Sequence, residues 1–116
     1  MSESQLMKGI LEGCVLAVIA RKETYGYDIL NQLESYGFDN IMEGTLYPLL
    51  TRLRKKGLIK GTSVKSPYGP VRKIYGITED GARVLNEFQD SYKKVTKVAD
   101  SILFEGESEH ESEVEL

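Results

Sequence analysis

The sequence predicts a mostly α-helical α+β fold. Three observations carry that prediction: apolar stripes of helical period before Gly57, two short runs parted by Ser66-Pro67-Tyr68-Gly69-Pro70 after it, and a seam of apolar residues from Leu85 to Ile102. In chain order they give three helices, a β-hairpin and one long last helix.

Leu6 to Ala20 is apolar on most faces, through Leu6, Met7, Ile10, Leu11, Cys14, Val15, Leu16, Val18 and Ile19. Its polar interruptions, Lys8 and Glu12, fall four apart as a helix requires, and so apolar a helix is expected to be covered on more than one side. Its most apolar part, Ile10 to Ala20, is about half a bilayer span long and holds Glu12, so a buried core helix is expected. Thr24 is the expected N-cap of a second helix, Tyr25 to Tyr36, with Ile29, Leu30 and Leu33 inward and Gly37 placed to stop it. Tyr25 and Tyr27 straddle that helix start; one is expected to pack inward, with Tyr25 the outward ring.

A connection from Phe38 to Glu43 leads to the third helix. Pro48 fixes its start near Gly44, because a proline without an N–H is harmless only close to a helix N-terminus. Leu46, Leu49, Leu50 and Leu53 form its buried stripe and Gly57 ends it. Leu58 to Lys65 and Val71 to Ile77 are the hairpin strands. Thr78 is expected to cap the last helix, with Glu79 and Asp80 suited to its N-terminal dipole. Along that helix Leu85, Phe88, Tyr92, Val95, Ala99 and Ile102 alternate at spacings of three and four, an a/d seam of about two and a half heptads. Such a seam packs either on the first helix or on a second copy. Dimerisation is the expected use, since one small domain offers few other surfaces to cover it.

Charge is segregated. Between Gly44 and Tyr75 stand eight cations (Arg52, Arg54, Lys55, Lys56, Lys60, Lys65, Arg72, Lys73) and no Asp or Glu, although the whole chain is net −3. Solubility alone asks for interspersed signs; a one-signed stretch builds a field suited to a polyanion. The plain alternative for each cation is a solvated face, and Lys55 and Lys56 also suit a helix C-terminus. Glu105 to Leu116 holds six Glu and no Lys or Arg, and is expected to be a disordered tail masking a mildly basic body. The sharper option is that it competes with that polyanion for the basic face.

Three helices and a hairpin, with cations on the third helix and the hairpin, make the layout of a winged helix-turn-helix. An α-helix fits the major groove of DNA, so the side chains away from the leucine stripe are candidate contacts: Thr45, Tyr47, Thr51, Arg52, Lys55 and Lys56. Tyr47 is either a core cover or a half-exposed ring reaching phosphate. Lys65, Ser66, Tyr68, Arg72 and Lys73 around the wing tip, with Tyr25, complete the candidate DNA set, while Tyr75 is expected to be structural.

Gly44-Thr45-Leu46-Tyr47-Pro48-Leu49-Leu50, then Arg52-Leu53 and Gly57-Leu58-Ile59, resembles the recognition-helix signature of PadR-type transcriptional regulators (phenolic acid decarboxylase repressors). Gly69-Pro70, Arg72-Lys73, Tyr75, Ile77-Thr78-Glu79 and Gly81 resemble the wing of that family and the start of its last helix, and Tyr25-Gly26-Tyr27-Asp28-Ile29 resembles its second-helix opening. The resemblance spans roughly Leu6 to Leu103. It implies a homodimer joined through the last and first helices, bound to double-stranded, inverted-repeat operator DNA and released by a small apolar or aromatic effector. It places that effector between the first and last helices, near Met7, Ile10, Leu11, Cys14, Val95 and Ala99. The single C-terminal helix resembles the short-tailed branch. Met42 and Glu43 depart from the small polar residue that often precedes the third helix, and with no Trp in the last helix the resemblance does not extend to a pocket of stacked tryptophans.

The expected organisation is a winged helix-turn-helix domain over 1–78, a dimerisation helix over 79–104 and the acidic tail over 105–116. A ligand-released repressor is the expected function, with a winged-helix protein-interaction adaptor as the alternative. No enzyme is expected, because no nucleophile–base pair or phosphate loop is present. One Cys and one distant His, His110, cannot assemble a metal cluster, and no cofactor is expected. The lone Cys14 also permits no internal disulfide; it is expected to be a small buried hydrophobe, with redox sensing the lesser option. With no signal-peptide layout at the N-terminus and no membrane span, a reducing cytoplasm is the expected setting.

Overall fold

A computed structural model of the chain describes residues 2–65 and 69–105. Ser66 and Tyr68 of the expected wing tip, and the tail beyond Glu105, lie outside the described residues. The elements are α1 (Glu3–Leu6), α2 (Ile10–Arg21), β1 (Thr24–Tyr25), α3 (Gly26–Tyr36), α4 (Glu43–Lys55), β2 (Ile59–Val64), β3 (Arg72–Ile77) and α5 (Glu79–Leu103). They form two compact units, one ending at Leu85 and the other beginning at Asn86, so the first turns of α5 belong to the first unit.

The expected first helix is broken in two. Ser2 caps α1 by accepting from the Gln5 N–H, the chain turns through Met7 to Gly9, and α2 starts after Gly9. Glycine is a poor helix interior residue, and Gly9 sits where the apolar run would otherwise have continued. From there α2 behaves as its composition demands, burying Leu11, Val15, Leu16, Val18 and Ile19.

Thr24 does not cap the second helix. It pairs with Tyr75, and Tyr25 with Ile74, making a short strand that turns the expected hairpin into a three-stranded antiparallel sheet of order β1-β3-β2. Thr24 is buried against that sheet, and Tyr25 takes the N-cap position of α3 without a capping side chain. The remaining punctuation follows the sequence. Gly37 and Gly57 adopt positive φ (121° and 76°) and stop α3 and α4, a conformation that costs glycine no Cβ clash. α4 starts at Glu43, with Met42 at its N-cap and Pro48 inside its early turns.

Leu46, Leu49, Leu50 and Leu53 of α4 close on Leu16, Ile19, Ile29, Leu33 and Ile59 to form the core. Tyr75 is buried there too, as expected of a structural strand residue. Thr78 caps α5 by accepting from the Gly81 N–H at 3.0 Å, and its hydroxyl donates to the Gly57 carbonyl at 2.7 Å. Gly81 is needed because a Cβ there would lie 1.9 Å from the Leu58 carbonyl oxygen.

The seam of α5 divides at the unit boundary. Leu85 is buried in the first unit. In the second, Phe88 stacks on Tyr92 with ring centroids 6.1 Å apart, whereas Val95 and Ile102 are 63% and 73% exposed. Among the described residues no helix is long and apolar enough to cross a membrane.

Candidate nucleic-acid interface

The outer side of α4 has two flanks and a crest. Its leucine stripe faces the core, so helical geometry puts Lys55 at the crest, Tyr47 and Thr51 on one flank, and Thr45, Arg52 and Lys56 on the other. Thr51 donates to the Tyr47 carbonyl at 3.0 Å, which holds its hydroxyl against its own helix.

The first flank faces the wing across a cleft of about 640 Å³ lined by Tyr25, Gly26, Tyr27, Tyr47, Thr51, Val71, Arg72, Lys73 and Tyr75. Five residues singled out for DNA contact therefore meet here: Tyr25, Tyr47, Thr51, Arg72 and Lys73. Among the described lining residues there is no carboxylate. Glu23 and Asp28 instead line a separate depression, which Tyr25 borders from its other side. The Tyr47 ring crosses the start of α3 so closely that a Cβ on Gly26 would meet it at 3.1 Å. The Arg72 guanidinium stands over the Tyr25 ring, 5.9 Å from its centroid. Burial pushes the Tyr75 phenol up, with Tyr47 reinforcing the rise and Arg54 opposing it.

The two helix-start tyrosines are reversed from expectation. Tyr27 is the outward ring, 60% exposed, and Tyr25 is half-buried. The strand pairing of Tyr25 explains this: a residue locked opposite Ile74 lies along the sheet rather than projecting from a helix start. Tyr27, expected to pack inward, and Val71, expected only as a strand residue, both line the cleft, and only recognition of β1 would have pointed to Tyr27. Tyr47 is 42% exposed, the half-exposed ring of the two alternatives.

On the other flank, Thr45 and Arg52 border a hollow of about 480 Å³ that also includes Met7, Lys8, Leu11, Phe38, Ile41 and Leu49. Two expected effector residues, Met7 and Leu11, thus share a hollow with two expected DNA residues. Ile10 and Cys14 lie half-buried on α2, while Val95 and Ala99 belong to the second unit. Lys56 pairs with Glu12 of α2 at 3.4 Å. Lys65 is exposed just beyond β2. Cys14 packs against the core, and burial pushes its thiol up, away from the reactive thiolate. No group of His, Cys, Asp or Glu among the described residues could hold a metal.

A helical pair ending in α4, followed by an antiparallel wing that shares a cleft with it, defines a winged helix-turn-helix. The model of the transcriptional regulator PadR-like family matches residues 15–87, and the chain belongs to that family. It is similar to a PadR-like transcriptional regulator from Bacillus cereus at 43% identity, over 85% of this chain and 96% of that one, with a TM-score of 0.76. It is likewise similar to a Streptococcus transcriptional regulator at 41% identity, over 84% of this chain and 96% of that one, also with a TM-score of 0.76. Bacillus subtilis PadR in complex with operator DNA shares the fold at 23% identity, over 69% of this chain and 47% of that one, with a TM-score of 0.63.

Proposed function

We propose that this PadR-family transcriptional regulator is a homodimeric, sequence-specific repressor that binds operator DNA and is released by a small apolar or aromatic effector. The observation that carries the reading is the cleft between α4 and the wing, which gathers Tyr47, Thr51, Arg72 and Lys73 without a carboxylate among its described lining. The cations Arg72 and Lys73 and the half-exposed Tyr47 so placed suit phosphate contacts beside a major groove occupied by α4. The binding of operator DNA by Bacillus subtilis PadR, which has the same fold, supports the same use here. Dimerisation is supported by the exposed run Tyr92, Val95 and Ile102 along α5, and would set two reading heads about one helical turn apart. An effector acts only by binding one spacing of those heads better than the other. A cytoplasmic site of action fits this role.

The test is a mobility shift on the upstream region of the chain's own gene, against a scrambled competitor of equal length. Specific retention is expected. If the dimer neutralises about 6–10 phosphates, affinity should fall by orders of magnitude from low to moderate salt. A complex insensitive to salt, or no preference over the competitor, overturns the reading.

A further inference from the structure

We infer that Tyr25 is a positioning residue: it holds the wing arginine, Arg72, in register with the recognition helix rather than serving as a phosphate contact of its own. The inference rests on the DNA-binding reading above and assigns Tyr25 a role within it.

Local sequence rules are broken at Tyr25. A polar N-cap stabilises a helix by about 1 kcal/mol, yet Tyr25 occupies the N-cap position of α3 with no capping hydrogen bond, and Thr24 is committed to the sheet one residue earlier. A violated local preference points to a different duty. That duty is visible in the register of the sheet. Tyr25 lies opposite Ile74, and Arg72 stands two residues along β3 on the same face, so the two are diagonal neighbours within reach of long side chains. The guanidinium is found over the ring. Arg72 is exposed and long, and stacking on a fixed ring removes rotamers that DNA binding would otherwise have to freeze. The next residue, Gly26, seats the Tyr47 ring of α4. Two consecutive residues at the α3 start therefore hold the two DNA-facing parts, one through Arg72 and one through Tyr47.

The experiment measures affinity by fluorescence anisotropy on the same upstream duplex, for wild type, Tyr25→Leu, Tyr25→Phe, Arg72→Ala and the Leu/Ala double variant. Tyr25→Leu and Arg72→Ala should each weaken binding by about three- to tenfold, and the double variant should bind no worse than Arg72→Ala. Tyr25→Phe keeps the ring and should restore most of the loss. Arg72→Ala removes the cation and should also lower the salt slope by about one unit, whereas Tyr25→Leu leaves the charge in place and should lower it by less. A second readout needs no DNA: the side-chain protons of Arg72 should show ring-current shifts in wild type and Tyr25→Phe that vanish in Tyr25→Leu. Independent, additive losses overturn the inference, as does a Tyr25→Phe variant as weak as Tyr25→Leu, which would make the hydroxyl itself the contact. Wild type that retains no duplex defeats the functional reading instead, and the ring-current arm then still decides whether Tyr25 holds Arg72.

Discussion

At Gly81 the backbone of α5 meets the Leu58 carbonyl with no room for a methyl group. Gly81→Ala must push the helix off the sheet, and we expect a loss of about 2 kcal/mol or more, read as a lower urea midpoint with an unchanged m-value. Cys14 gives a pH prediction. Its thiol is raised by burial, so the fold holds the neutral form. The unfolded chain then ionises first as pH rises, and the stability present below the ordinary thiol pKa declines above it. Urea midpoints of wild type should fall between neutral and alkaline pH, and those of Cys14→Ala should fall less. At this scale the sequence was legible wherever a residue has one physical use: Gly37 and Gly57 as helix stops, Thr78 as a cap and Tyr75 as a core ring are all as expected. Thr24 was misread because it has two uses. It is a good cap and a good strand residue, and only its partner Tyr75, about fifty positions along, decides between them.

Among the elements, α4 shows why a run of cations is not yet a surface. The bare sequence places its basic residues together, but the helix deals them to different sides. Arg72 and Lys73 of β3 share the cleft with Thr51, while Lys56 is taken up by Glu12 of α2. In the operator-binding assay Lys73→Ala should therefore weaken affinity several-fold, and Lys56→Ala should change it by less than about twofold, since an exposed pair of this kind is worth little. Equal losses would place Lys56 on the DNA. The apolar period of the first helix was also clear, but its break at Gly9 was not. A run of apolar side chains says which face is buried and is silent about where the backbone turns.

For the molecule as a whole, the winged helix-turn-helix was legible because its signals are independent: leucine stripes, breaker-rich hairpin and capped final helix agree with one another. The proposed assembly rests on the part of α5 that lies in the second unit. Past Leu85 the seam of α5 is exposed at Tyr92, Val95 and Ile102. Val95→Glu would bury a charge in any pairing of that seam. It should give monomers in sedimentation and operator binding weakened at least tenfold, by loss of the second reading head. A variant that stayed dimeric would move the interface elsewhere.

Thr78 joins these scales. Its hydroxyl touches Gly57, just past the end of α4, and Gly81, near the start of α5. The two helices thus share a fulcrum at one oxygen atom. Removing that one hydroxyl would leave the Gly57 carbonyl and the Gly81 N–H without their partner together, so the end of α4 and the start of α5 would loosen as one.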